Sequence, residues 1–138
     1  MKRVLFDSDV IIDVMTNRQP FVIHSSQALD MIAKSQLEGY IAGHAVTNLF
    51  YILCRQLGVS TTLQIIIKLL EKFKVASVTD QVNHSALKKQ MPDFEDAVTS
   101  EVAFAINLDF IVTRNVKDYL NSSIPAITPE KLLKLVQQ

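Results

Sequence analysis

The segment VLFDSDVIID, residues 4–13, decides the fold class. Residues 3–6 end in an uninterrupted apolar run, which is typical of a strand buried in a parallel sheet. Apolar residues then return over residues 10–15 at a spacing that predicts a short helix. Asp7 therefore stands at the carboxyl end of a buried strand. A turn at that point does not require a charged residue, so this carboxylate is the first candidate for a functional group.

Outward from this segment, short β-rich runs alternate with longer helical patterns. Gly39 and Gly58 are expected to end helices, and Thr128-Pro129 to start one. Ser60 or Thr61, and Asp80, are expected to cap the two helices that follow Gly58. The further strands are predicted at residues 40–42, 75–78, 110–112 and 124–127, and the further helices at about 26–37, 46–57, 60–73, 80–90, 92–106 and from 129 onward. Strands separated by helices need crossover connections, so we expect a three-layer α/β/α fold with a parallel sheet of about five strands. Residues 1–138 are expected to form a single domain.

Composition excludes several classes of protein. Lys plus Arg and Asp plus Glu both number 14, which excludes a uniformly basic nucleic-acid binder and leaves only a local patch. The single cysteine, Cys54, cannot form an internal disulfide and is interpreted as a core residue of a protein from a reducing compartment. No apolar stretch approaches the roughly 20 residues of a membrane span. We therefore expect a cytoplasmic protein with no membrane partner.

Polar residues follow two of the predicted strands and open one helix. They are Asp7-Ser8-Asp9, Thr113-Arg114-Asn115 with Asp118 beyond, and Asp93-Phe94-Glu95-Asp96. Sites in parallel sheets form beyond the carboxyl ends of the strands, so these segments are expected to meet there. Clustered carboxylates need a compensating cation, and oxygen ligands suit Mg²⁺ or Mn²⁺. Such an ion can activate water for phosphodiester cleavage.

Each of these residues also has a purely structural interpretation. Asp93 and Asp96 have the spacing of a helix cap and its third residue, and the cap is the preferred interpretation of Asp93. Asp9 and Asp13 fit the start of a helix, with Asp13 favoured as structural. Asn115 fits a turn, and Asp118 fits a solvated surface.

At these residues the sequence resembles a PIN domain, the fold of the VapC-type toxin ribonucleases. The resemblance covers essentially the whole chain. It rests on residues 4–13, on DFEDA at 93–97, on IVTRNVKDY at 111–119 and on the tail at 123–130. It implies a ribonuclease that uses Mg²⁺ or Mn²⁺, has RNA as its substrate, pairs with an antitoxin protein and forms a homodimer.

The resemblance also implies roles for individual residues. In the family, four acidic positions hold one or two divalent metals and cut single-stranded RNA. Asp7 matches the first position and Asp96 the third, whereas Asn48 occupies the second and Asn115 the fourth, with Asp118 three residues on. The catalytic group is then Asp7, Asp96, Asn115 and Asp118, with Asp7, Asp96 and Asp118 as metal ligands. Supporting roles fall to Ser8, Asp9, Asn48, Asp93 and Thr113, and Arg114 and Lys117 are expected to contact the RNA backbone.

Two alternatives stay open. The amides at Asn48 and Asn115 make the site less negative, which is compatible with a PIN-like module that only binds RNA or protein. The opening Asp7-Ser8-Asp9-Val10 also resembles a haloacid-dehalogenase-type phosphohydrolase, with Asp7 as nucleophile and Asp9 as general acid. The short chain and the lack of a phosphate-binding lysine segment disfavour that second alternative.

Overall fold

The structure is a computed structural model that describes residues 1–137; Gln138, the last residue of the predicted domain, lies outside the described residues. Its centre is a five-stranded sheet in the order β3-β2-β1-β4-β5, with every neighbouring pair parallel. The strands are β1 (Lys2–Phe6), β2 (Leu37–Ala42), β3 (Lys74–Ala76), β4 (Phe110–Val112) and β5 (Ala126–Ile127). The predicted fold class is confirmed.

Helices flank the sheet to give the three layers. They are α1 (Ser8–Met15), α2 (Val22–Ala33), α3 (Gly43–Leu57), α4 (Val59–Lys72), α5 (Asp80–Leu87), α6 (Phe94–Ala105) and α7 (Pro129–Val136), with a 3₁₀ helix at Val116–Tyr119. None of the described helices is long and apolar enough to cross a membrane.

The apolar run of β1 takes the middle position in the sheet. Val4, Leu5 and Phe6 are completely buried, with β2 on one side and β4 on the other. Because the chain winds outward in opposite directions from β1, the strand order reverses between β1 and β4. That reversal is where parallel sheets form their binding crevice.

The role predicted for Gly39 is wrong. The helix expected over residues 26–37 already ends at Ala33, and Gly39 lies inside β2. A Cβ atom at this position would come within 2.4 Å of the Ile32 side chain and 3.0 Å of the Phe73 ring. The glycine therefore permits close packing against the strand. Gly58, with φ of 80°, does end α3 as predicted.

Two other helix starts differ from prediction. The α5 cap is Thr79 and not Asp80, because the Thr79 hydroxyl accepts a hydrogen bond from the backbone N–H of Val82 at 3.1 Å. The next difference is at α4, which begins at Val59 with no capping side chain, so neither Ser60 nor Thr61 has that role. Cys54, predicted to be in the core, is only half-buried.

Candidate active site

Asp7 and Thr113 follow the two strands on either side of the crevice. The backbone N–H of Asp7 donates to the carbonyl of Val112 at 2.9 Å, which fixes the first residue beyond β1 against the last residue of β4. Thr113 is completely buried, and its hydroxyl donates to Asp7 Oδ2 at 2.9 Å. Asp7 is the residue that precedes α1, but its side chain makes no capping hydrogen bond. Its carboxylate is directed to the crevice instead.

Tyr119 joins this pair to a third element. Its hydroxyl lies 3.1 Å from Asp7 Oδ2 and 3.1 Å from Asp96 Oδ1 in the first turn of α6. A phenol has one proton and can donate to only one of these oxygens. The second contact therefore needs a proton on a carboxyl group, or a cation that screens the charges.

Asp9 lies on the other side of Thr113. Its Oδ2 accepts hydrogen bonds from the backbone N–H of Arg114 at 3.2 Å and from Asn115 Nδ2 at 3.1 Å. The Thr113 hydroxyl is 3.3 Å away. Oδ1 of Asp9 is buried and has no hydrogen-bond partner among residues 1–137. Such an atom is costly to leave unpaired, so this oxygen is suited to accept a bond from water or a cation.

The electrostatics of the three carboxyl groups favour uptake of a positive charge. Burial raises the pKa of Asp7, although the hydroxyl groups of Thr113 and Tyr119 oppose the shift. Burial and then the charge of Asp7 raise the pKa of Asp9 to about 7. The same two causes raise the pKa of Asp96 to about 6. The ionised forms of these carboxyl groups are therefore poorly solvated, and a cation in the crevice would stabilise them.

Asn48 is connected to the site through Glu95, a residue for which no role was predicted. Its Nδ2 donates to Oε1 of Glu95 at 3.0 Å, which joins α3 to the start of α6. Glu95 precedes Asp96, and its charge contributes to the raised pKa of Asp7. The Asn48 amide thus holds a carboxylate whose charge acts on Asp7.

His44 supports the same junction. Its Nε2 lies 3.2 Å from the Thr99 hydroxyl, and that hydroxyl donates to the backbone carbonyl of Glu95 at 3.0 Å. Thr99 must then accept from His44, so Nε2 carries the ring proton. No local pattern predicts this contact, because a lone histidine at a helix start is more often a surface residue.

Arg114 has its guanidinium group engaged within the protein. Nε lies 2.9 Å from Oδ2 of Asp13, and the guanidinium carbon is 4.1 Å from the centre of the Phe21 ring. Asp13 is completely buried, which confirms its structural interpretation. Lys117, the other predicted RNA contact, is exposed.

The remaining predicted residues lie at the edge of the cluster. Asp93 caps α6, since its Oδ1 accepts from the backbone N–H of Asp96 at 3.0 Å, as its structural interpretation predicted. The backbone N–H of Ser8 opposes the rise in the pKa of Asp7. Asp118 is half-buried and adds negative charge near Asp96. Tyr119 was missed because its approach to Asp96 depends on how the 3₁₀ helix packs against α6, which no local pattern encodes.

One observation counts against the predicted Mg²⁺ or Mn²⁺ site, and two support it. In the part of the chain described, no three His, Cys, Asp or Glu side chains are grouped closely enough to hold a metal ion by themselves. Mg²⁺, however, keeps several waters and commonly binds through only one or two carboxylates. Asp7 and Asp96 meet at one hydroxyl, and Asp9 retains a buried oxygen without a partner. This donor set fits such an ion.

Comparisons with known proteins agree with the fold. A family model described as PIN domain matches residues 3–117. No curated protein matches the chain significantly.

Solved structures give the same result at low sequence identity. The chain resembles one in the DNA-bound VapBC2 complex of Rickettsia felis, with a TM-score of 0.72 and 11% identity over 91% of this chain and 98% of that one. DNA-bound VapBC from Salmonella typhimurium gives 0.72 and 14%, over 94% and 99%. VapC20 of Mycobacterium tuberculosis, described as a sarcin-ricin loop cleaving toxin, gives 0.62 and 13%, over 78% and 86%.

Proposed function

This chain belongs to the PIN domain family, and from that premise we propose that it is a divalent-metal-dependent endoribonuclease and the toxin of a toxin–antitoxin pair. The observation that carries the proposal is the contact of the Tyr119 hydroxyl with both Asp7 and Asp96. It brings the residue after β1 and the first turn of α6 to one point at the crevice. Burial and the charge of Asp7 raise the pKa of Asp96, and a bound cation would stabilise the ionised form of that carboxyl group.

In the proposed enzyme, Asp7 and Asp96 would hold Mg²⁺ or Mn²⁺, with Asp118 and Glu95 adding negative charge beside them. When bound, the ion supplies a Lewis acid that lowers the pKa of water and offsets charge on the phosphate. In the hydrolysis a bond forms between the oxygen of water and phosphorus, and one P–O ester bond breaks. Water loses a proton, and the leaving alcohol oxygen gains one.

The chain's own residues keep the carboxylates in place during that reaction. Thr113 donates to Asp7, and Tyr119 fixes the spacing between Asp7 and Asp96. Asn115 and the backbone of Arg114 hold Asp9. Such supporting contacts orient metal ligands, and their loss typically lowers affinity or activity about 10- to 100-fold. In this proposal Asn115 acts as a hydrogen-bond donor to Asp9, so an amide suits that position.

The test is cleavage of a panel of structured and unstructured RNAs in Mg²⁺, in Mn²⁺ and in EDTA. We expect cutting that requires the metal and is lost in Asp96→Asn. Asp30→Asn is the matched control, because Asp30 is an exposed partner of Lys34 on α2. Mn²⁺ binding by calorimetry should weaken in Asp96→Asn and stay unchanged in Asp30→Asn.

Other results would decide against the enzyme. Cutting that persists in EDTA, or in Asp96→Asn, would assign the activity to another site or to a contaminant. No cutting together with no Mn²⁺ binding would favour the non-catalytic module, for which the absence of a three-residue ligand group within residues 1–137 is the supporting observation. Membership of the PIN family removes the basis for the haloacid-dehalogenase alternative.

The partners of the proposed toxin are an antitoxin protein and a second copy of the chain. Support comes from the structural relatives, several of which are toxin–antitoxin complexes. The α3–α4 hairpin also exposes several large apolar side chains, namely Tyr51, Val59, Leu63, Ile67 and Leu70. Analytical ultracentrifugation of the purified chain tests the proposed dimer, and we expect the mass of two copies. A monomer at tens of micromolar would contradict it.

A further inference from the structure

A cavity lies on the far side of the loop that follows β4. It has a volume of about 460 Å³, and its lining comes mainly from the first turns of α2 and α7, together with Phe21 and Thr128. Thr128 directly follows β5, and Arg114, also in the lining, comes two residues after β4. The carboxyl ends of parallel strands share one edge of the sheet, so this cavity opens at the same edge as Asp7. We call it the Phe21 cavity.

Its walls are mostly apolar, with planar groups held in fixed positions. The Phe21 ring has the Arg114 guanidinium 4.1 Å from its centre and that of Arg18 at 5.9 Å. The buried Asp13 carboxylate holds Arg114, so this wall is ordered before any ligand arrives. Arg18 is not part of the lining; it is exposed near the same ring, and its charge also lowers the pKa of the buried Asp13.

We propose that the Phe21 cavity binds an unstacked base of the RNA, one or two nucleotides from the cut phosphodiester. This inference rests on the proposed ribonuclease function. Aromatic rings and arginine planes are the groups on which proteins stack single-stranded bases. The volume lies within the range of about 300–1,000 Å³ typical of small-ligand sites.

Continuity with the catalytic cluster favours RNA over another occupant. Thr113 contacts the catalytic carboxylate of Asp7, and the next residue, Arg114, lines the cavity. The carboxylate cluster and the cavity are therefore joined by one short loop, with Thr113 against Asp7 and the Arg114 guanidinium against the Phe21 ring. Arg18, at the same ring, supplies a cation for the phosphate that accompanies that base.

The test is a set of single-stranded RNA 12-mers, each with one abasic position, titrated in EDTA with fluorescence anisotropy as the readout. For the natural chain we expect one position, or two adjacent ones, at which the missing base weakens binding about 5-fold or more, equivalent to the roughly 1–3 kcal/mol of base stacking. Phe21→Leu, which keeps apolar bulk without the ring, should weaken binding of intact RNA by a similar factor. In that variant the abasic position should have no further effect, while Phe21→Tyr should behave as the natural chain.

Three results would overturn the inference. One is an abasic series in which no position of the RNA matters to the natural chain, an experiment that needs no variant to fold. Another is a folded Phe21→Leu protein that binds intact RNA as tightly as Phe21→Tyr does. If either occurs while Asp96→Asn still abolishes cutting, the cavity assignment fails and the ribonuclease stands. A natural chain that neither binds nor cuts RNA overturns both.

Discussion

Nε of Arg114 lies 2.9 Å from Oδ2 of Asp13, a carboxylate with no exposed surface. The two residues belong to different elements: Asp13 lies in α1, and Arg114 lies in the loop after β4. Burial raises the pKa of Asp13, and the guanidinium opposes that shift. The pair therefore fixes the loop that also presents Thr113 to Asp7. Arg114 is a positioning residue in this arrangement, whether or not RNA also reaches it.

The first prediction concerns this ion pair. Arg114→Met should lower the free energy of unfolding by roughly 2–4 kcal/mol, because it leaves a buried carboxylate without its partner. Asp13→Asn in the same chain should recover part of that loss, since the amide needs no counter-charge. Urea unfolding at pH 7.5 measures both. Equal stability of Arg114→Met and the natural chain would show that Asp13 takes up a proton at no cost.

The second prediction concerns pH in the absence of metal. Asp9 and Asp96 have pKa values of about 7 and about 6 in the folded protein, against an ordinary 3.8. The folded state therefore binds protons more tightly, and the stability this gives is complete below pH 3.8 and is lost as pH rises through 6 and 7. Between pH 5 and pH 8 in EDTA we expect the free energy of unfolding to fall by roughly 4 kcal/mol, since each pH unit over which only the folded state holds a proton changes it by about 1.4 kcal/mol.

The controls for that prediction use the same two carboxyl groups. Asp9→Asn should remove the part of the pH dependence near pH 7, because the amide has no proton to lose, and should leave the part near pH 6 that belongs to Asp96. Saturating Mn²⁺ should flatten the whole pH dependence, since a bound cation replaces the protons. Stability that rises from pH 5 to pH 8 in EDTA would contradict the arrangement described for the cluster.

Much of this framework could be predicted from the sequence because its signals are local. The apolar run before Asp7 marked the central strand, and Thr128-Pro129 marked the start of α7 as observed. Asp93 was recognisable as a cap from its spacing to Asp96. Each of these depends on residues only a few positions apart, where backbone geometry limits the possibilities.

The features that escaped prediction all depend on distant contacts. Gly39 was interpreted as a helix end, whereas the close approach of Ile32 and Phe73 is what requires a glycine there. Tyr119 acquires its role from Asp7, which lies 112 positions away in the sequence. The pattern around Glu95 likewise gave no sign that the Asn48 amide would hold it.

The third prediction concerns Tyr119. Tyr119→Phe removes the hydroxyl between Asp7 and Asp96 while keeping the buried ring, so the fold should persist. We expect Mn²⁺ affinity to fall about 10-fold or more, in line with the loss of a contact that orients metal ligands. Calorimetry at pH 7.5 measures it, and Tyr51→Phe on the exposed face of α3 is the control. Unchanged affinity in Tyr119→Phe would separate the hydroxyl from the metal site.

The fourth prediction concerns the amide at position 48. Asn48→Asp exchanges a donor for a carboxylate 3.0 Å from Glu95, within the negative field of Asp7. In EDTA the variant should be less stable than the natural chain by about 1–2 kcal/mol, since two facing carboxylates replace a hydrogen bond. Mn²⁺ should raise its melting temperature by more than it raises that of the natural chain, because the added charge strengthens the attraction for the ion.

Asn121→Asp is the matched control. It also loses an amide hydrogen bond, but the acceptor of that bond is the carbonyl of Gln90 and not a carboxylate. An equal Mn²⁺ response in the two variants would mean that position 48 lies outside the field of the metal site, and that the amide there serves only to pack α3 against α6.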